Sequence, residues 1–273
     1  MMSTPFVSFL TDFGGAASAP AVCRGVIWGI APDARICDIT HSVPRFAVRD
    51  GAFLLSCTLP YLPSGVHLAV VDPGVGTARR PIAIRAERGD LLVGPDNGLL
   101  MPASRALGGI TEVRALENPA LWLPHVSSTF HGRDLFAPVA AHLASGVAFD
   151  SVGPRVPSGE IVDLSLPDAT ARDGGLDSTV LFIDTFGNCR LAGQTDDLAA
   201  VAGALQPSRP IAVIVDGHTT VVPWAVTFAA VPIGTPLLYE DADYAGLAIG
   251  VNQGSAAERF GLELDRPIRL EPT

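Results

Sequence analysis

Three short apolar runs, at residues 6–10, 35–39 and 66–71, are separated by two stretches with helical spacing, at 21–30 and 46–58. Strand, helix, strand, helix, strand at this spacing requires right-handed crossovers. It predicts a largely parallel sheet with helices packed on it. Ligands of such sheets sit beyond the carboxyl ends of the strands. Asp12 and Asp72 each fall just past a strand end, so the pattern places two acids at one rim. Further strands are expected at 82–85 and 91–93, the second ending in the turn Gly94-Pro95-Asp96-Asn97-Gly98. An amphipathic helix is expected at 134–144, interrupted by Pro138, with Asp134 placed as its N-cap.

A chain of 273 residues exceeds the usual size of one core. Residues 152–175 are rich in Pro, Gly and Asp, and we place the linker at about 161–175. It separates an N-terminal α/β domain (1–160) from a C-terminal domain (176–273). In the second, short strands at 179–184, 211–215, 219–222, 236–239 and 247–251, with one helix at 195–204, predict a mostly antiparallel, barrel-like β domain.

Acidic residues outnumber basic ones, 28 to 18, for a net charge of -10. That argues against nucleic acid or an anionic membrane as partner. Cys23, Cys37, Cys57 and Cys189 form no C-x-x-C pair, and free thiols in a reducing cytoplasm are expected. Neither a signal peptide nor a bilayer-spanning run is apparent. The chain has no phosphate-binding loop of the G-x-x-x-x-G-K-[ST] type and no H-E-x-x-H motif, so neither a metal nor another cofactor is expected. Thr11-Asp12-Phe13-Gly14 and His131-Gly132-Arg133-Asp134 echo two protein-kinase motifs. Their order is reversed, however, and no glycine-rich nucleotide loop precedes a suitable lysine.

Four segments carry chemistry-bearing residues. In Asp72-Pro-Gly-Val-Gly-Thr-Ala-Arg79 the glycines let the chain double back, so Arg79 can approach Asp72. This reads equally as a turn closed by an ion pair or as an activated carboxylate. Ser128-Thr-Phe-His131-Gly-Arg-Asp134 presents a histidine just before a helix. Asp184-Thr-Phe186-Gly-Asn188 puts an aromatic ring beside an amide. This suits either an ordinary turn or a surface for a planar base. Val251-Asn252-Gln-Gly-Ser-Ala-Ala257 supplies small residues and amides after a strand.

Taken in order with Leu10-Thr-Asp12-Phe-Gly14 and the 94–98 turn, these blocks resemble the S-adenosylmethionine hydroxide adenosyltransferase family, relatives of the bacterial fluorinase and chlorinase. The resemblance covers nearly the whole chain. It implies a three-layer α/β N-terminal domain, a C-terminal β-barrel, and hydrolysis of S-adenosyl-L-methionine (SAM) to adenosine and methionine. It also implies a homotrimer, with each site between one subunit's N-terminal domain and a neighbour's C-terminal domain. The family's catalytic roles fall on Asp72, Arg79 and His131, and its ribose-diol acid on Asp12. Its C-terminal substrate contacts fall on Asp184, Phe186, Asn188 and Asn252, and its ring-stacking position on Phe46. Two segments depart from the pattern. Gly15-Ala-Ala-Ser-Ala-Pro20 lacks the family's polar residues, and Glu240-Asp-Ala-Asp-Tyr244 replaces an Asn-Ser-like stretch. Three other readings compete: a halide-using transferase, a nucleoside- or SAM-binding protein without turnover, and a phosphohydrolase with Asp12, Asp72 and His131 as metal ligands.

Overall fold

Apolar residues on one strand belong to two different cores, Val7 and Phe9 to one and Leu10 to the other. A strand can do this only when both faces of its sheet are covered. In the computed structural model, which describes residues 4–242 and 246–273, the chain divides into the units Met1–Ser165 and Leu166–Thr273.

The first unit comprises β1 (Phe6–Thr11), α1 (Ala19–Ile30), β2 (Arg35–Thr40), α2 (Val48–Thr58), β3 (Val66–Val70), β4 (Pro81–Ala86), β5 (Leu91–Pro95), α3 (Met101–Ala106), β6 (Ile110–Ala115) and α4 (Ala137–Ala144). Its sheet has the order β2-β1-β3-β5-β4-β6. The first four strands run parallel, and β4 is antiparallel to both β5 and β6. On one face Cys23 and Ile27 of α1 and Val139 and Ala140 of α4 meet Phe9, Leu68 and Val70. On the other, Ala52 and Leu55 of α2 and Ala103 of α3 meet Leu10, Ala69 and Val71. These are the three expected layers, with a sheet that is mixed rather than parallel throughout.

The local differences have physical causes. Helix α2 begins at Val48, two residues later than expected, because Phe46 adopts φ 66° and its amide is bound outside the helix. The helix expected at 134–144 begins earlier, with one π turn at Gly132–Phe136 that runs into α4. Pro138 sits in the first turn of α4, and the Asp134 carbonyl that a helical N–H at 138 would meet accepts instead from the Leu123 amide at 2.9 Å. Asp134 therefore lies inside the turn and does not cap it. Its Oδ2 accepts from the Ser127 amide at 2.8 Å, and Arg133 donates to both its oxygens. Beyond α4 the chain runs back along the unit. The Val156 amide donates to Val113 O, the Val162 amide donates to Asp96, and Leu164 lies against Gly98.

The second unit comprises β7 (Thr170–Arg172), β8 (Gly175–Ile183), β9 (Cys189–Gln194), α5 (Thr195–Ala202), β10 (Pro210–Val215), β11 (His218–Pro223), β12 (Pro236–Asp241), β13 (Gly246–Val251), α6 (Ala256–Phe260) and β14 (Pro267–Pro272). Its antiparallel path is β11-β10-β14-β8-β9-β13-β12, with β7 added on β8. A bridge between Trp224 and Leu238 brings the two ends together, so the sheet is nearly closed as a barrel. Leu176, Val180, Leu191, Val213, Leu247, Ile249 and Leu270 fill it.

Candidate active site

Just past β3 the chain turns through 72–79. Gly76 has φ 77°, and a Cβ there would strike the carbonyl oxygen of Ser128. Only glycine lets this loop nest against the segment that carries His131. The same turn returns Arg79 onto Asp72. Arg79 Nε donates to Asp72 Oδ1 at 3.1 Å and its Nη2 to Oδ2. The side chains are only 7% and 5% exposed, respectively. Arg79 Nη2 also lies 3.3 Å from His131 Nδ1, and its guanidinium carbon sits 5.2 Å from the centroid of the Phe136 ring. Arg79 Nη1 is buried without a protein partner among the described residues.

A guanidinium can only donate, so His131 Nδ1 is the acceptor and the imidazole is neutral, with its proton on Nε2. Burial first, and the Arg79 charge second, lower the His131 pKa from its ordinary value, against the opposing pull of Asp72 and Asp134. His131 stands at the entry to the π turn, the kind of irregularity that re-aims a side chain. Its loop is braced by the Ser127 amide on Asp134 and by the Phe130 amide on Ser127 Oγ, 3.0 Å. Phe13 packs edge-to-face on Phe130, and a Cβ at Gly132 would lie 2.7 Å from the Phe13 ring. The 94–98 turn serves the same corner. Asn97 Nδ2 donates to Val71 O at 2.8 Å, beside Asp72.

Asp12 accepts the Phe46 amide on Oδ2 at 3.0 Å, which joins two of the expected substrate contacts. The Phe46 ring is left 68% exposed. The first unit thus gathers Asp72, Arg79 and His131 into one cluster and couples Asp12 to Phe46.

In the second unit Asp184, Phe186, Asn188 and Asn252 line one cavity of about 710 Å³. Asp184 organises its turn, Oδ1 accepting from the amides of Phe186 and Asn188 and Oδ2 from Asn188 Nδ2. The Phe186 ring is 76% exposed at this cavity. The Asn252 side-chain amide donates to Val231 O, so its N–H braces the loop at 231–235. Arg190, Phe228 and Tyr239 also line the cavity and were not singled out from the sequence, and Asp241 of the divergent 240–244 segment lines it too. Arg190 of β9 and Asp241 of β12 pair at 3.0 Å across the intervening strand β13. Residues 243 and 244 of the divergent segment lie outside the described residues.

A second histidine shows why geometry needs exposure to mean function. Ser8 Oγ, His67 and Asp90 align at 2.8 and 2.9 Å like a nucleophile, base and acid. All three are fully buried, and Asp90 is also held by Arg88. Burial alone would raise the Asp90 pKa, but hydrogen bonds from His67 and Arg88 outweigh it and hold the carboxyl well below the usual range. This network ties β1, β3 and the start of β5 together.

Among the described residues no group of three or more His, Cys, Asp or Glu side chains is arranged to hold a metal ion. Both oxygens of Asp72 face a guanidinium, which would oppose a cation there. Among the same residues no helix is long and apolar enough to cross a membrane.

A three-layer α/β unit followed by a nearly closed β-barrel unit, with an Asp–Arg–His cluster at the sheet's carboxyl rim, defines the class. Residues 7–153 match the SAM hydroxide adenosyltransferase N-terminal domain and residues 178–269 the C-terminal domain, and the chain belongs to this family. It is 48% identical over 271 residues to the (R)-S-adenosyl-L-methionine hydrolase of Salinispora arenicola, covering 99% of each chain. It is 44% identical to the hydrolase of the same name from Salinispora tropica, again over 99% of each. The crystal structure of a conserved protein from Thermotoga maritima superposes with a TM-score of 0.91 at 34% identity, over 97% of this chain and 99% of that one.

Proposed function

We propose that this protein is an enzyme that hydrolyses SAM to adenosine and L-methionine. The observation that carries the mechanism is the Asp72–Arg79–His131 cluster, its Asp–Arg pair buried and His131 partly so, with Arg79 Nη1 not engaged by protein among the described residues. The leaving group is a sulfonium that departs as a neutral thioether, so no general acid is needed. The demand falls on the nucleophile, a water that must be held in line with C5′ and relieved of a proton.

In our reading Arg79 Nη1 donates to the attacking oxygen, Asp72 takes the proton, and neutral His131 holds Arg79 in place through Nδ1. The C5′–O bond forms as the C5′–S bond breaks, its electron pair staying on sulfur, and one proton is released. Asp12 accepts the ribose hydroxyls, and Phe46 and Phe186 offer exposed ring faces to the adenine. The carboxylate at the nucleophile position disfavours halide, which sets this reaction apart from halide transfer. The relatives' names specify the (R) form, and that epimer is the substrate we assign.

We further propose a cytoplasmic homotrimer that needs no metal or other cofactor. In such a trimer the first unit of one copy and the second unit of another line a common site. Light scattering at three times the 28.4 kDa chain mass supports this assembly. A monomer with full turnover contradicts it.

Purified protein is incubated with SAM in chloride-free buffer after EDTA treatment, and the products are separated by chromatography. Equal amounts of adenosine and methionine are expected. Intact SAM with bound nucleoside would instead favour a binding protein, and activity lost to EDTA and restored by a divalent ion would favour a metal enzyme.

A further inference from the structure

His41 lies just past β2, and two of its groups hold the turn that bears Asp12. Its Nδ1 is 2.9 Å from Thr11 Oγ1, and its carbonyl accepts from the Gly14 amide at 2.7 Å. Thr11 Oγ1 in turn accepts from the Phe13 amide at 3.2 Å, closing a hydroxyl turn around Asp12. On the other side of the ring, Nε2 lies 3.2 Å from Asp38 Oδ1 and 3.4 Å from Arg24 Nη1, and Arg24 binds Asp38. The ring packs edge-to-face on Phe9, and its side chain is only 9% exposed. With the imidazole neutral, one ordered chain satisfies every group. The Phe13 amide donates to Thr11, the Thr11 hydroxyl to Nδ1, and Nε2–H to Asp38. Thr11 is fully buried, so its hydroxyl has no water to turn to if Nδ1 is removed.

We propose that His41 is a positioning residue for the substrate's ribose: through Thr11 it fixes the Asp12 turn and so sets affinity for the 2′,3′-diol. The proposal rests on the reading of Asp12 as the diol acceptor. A core role alone would ask only that the ring fill space against Phe9. A positioning role asks for a polar atom at Nδ1.

Two substitutions separate these roles. His41→Asn keeps an amide atom near the Nδ1 position, whereas His41→Gln moves it toward the Nε2 position. Affinities of adenosine and 2′,3′-dideoxyadenosine are measured by calorimetry for each, together with kcat and KM for SAM. Wild type should prefer adenosine by about tenfold or more, the worth of one or two charge-assisted hydrogen bonds. His41→Gln should lose most of that preference and raise KM about tenfold, with a much smaller change in kcat. His41→Asn should restore both. Thr11→Val carries the same test if His41→Gln does not fold. Wild-type diol preference in His41→Gln, or equal losses in the Asn and Gln variants, overturns the proposal. Asp12→Ala is the control: an undiminished diol preference there would remove the Asp12 reading itself, a result distinguishable from failure at His41.

Discussion

Arg79 grips Asp72 through Nε and Nη2, and the same Nη2 reaches His131 Nδ1 at 3.3 Å, so one guanidinium organises both partners. Its remaining nitrogen, Nη1, has no partner among the described residues, although it is buried. A donor placed there gains strength when the oxygen it meets takes on negative charge as water becomes hydroxide.

The cluster should fail as a unit. His131→Ala removes the acceptor that holds Arg79 in place and should lower kcat about 100- to 1000-fold, the scale of losing one oriented transition-state donor. Its melting temperature should change little, since His131 is only partly buried. Asp72→Ala should lose as much activity and also stability, by about 3–5 kcal/mol, because it strands a buried guanidinium. Steady-state kinetics and thermal melts check both. Near-normal turnover in either variant removes the mechanism.

Acid should switch the site off through His131. Its folded pKa lies below the ordinary value of 6.5, with burial as the first cause and Arg79 as the second. The neutral ring therefore persists at pH 7, and activity should hold as pH falls to that ordinary value. It should then drop as pH passes through the lowered pKa, because a proton on Nδ1 would face Arg79 Nη2. A profile of kcat against pH tests this. A limb centred above 6.5 would contradict it.

Gly76→Ala tests the nesting of the 72–79 turn against the segment that carries His131. It forces a side chain into a left-handed backbone (φ 77°) and against the Ser128 carbonyl. It should cost about 1–3 kcal/mol and reduce kcat. A variant with wild-type melting and turnover would show that the loops do not need this contact.

Phe186 is so exposed that its removal should leave melting unchanged. If its ring stacks on adenine, Phe186→Ala should raise KM for SAM by roughly five- to a hundredfold, the worth of about 1–3 kcal/mol of base stacking. An unchanged KM would move the base elsewhere.

The parallel core and the approach of Arg79 to Asp72 were legible because their signals are local, whereas His131 joined them only through the family resemblance. Apolar runs alternate with helical stretches, and Gly76 permits a tight return between Asp72 and Arg79. Strand β6 was not legible, because it carries Glu112 and Arg114, which suit a sheet margin and read as loop. Strands β9 and β14 were hidden in the same way by Arg190, Arg269 and Glu271. Phe136 gave no hint of a role beneath Arg79, since an apolar residue near a helix reads as core. Asn252 was read as a substrate contact, and one of its side-chain N–H groups is bound to Val231. Sequence shows that an amide is present but not where its hydrogen bonds go.

In the proposed reaction water, organised by Arg79, attacks C5′. The most direct measurement is a single turnover of SAM in H₂¹⁸O, with the products read by mass spectrometry. Adenosine should carry one ¹⁸O, at the 5′ oxygen, methionine none, and Asp72→Ala should lose the reaction. Label in methionine, unlabelled adenosine, or a 5′-halogenated nucleoside formed when halide is added would contradict it.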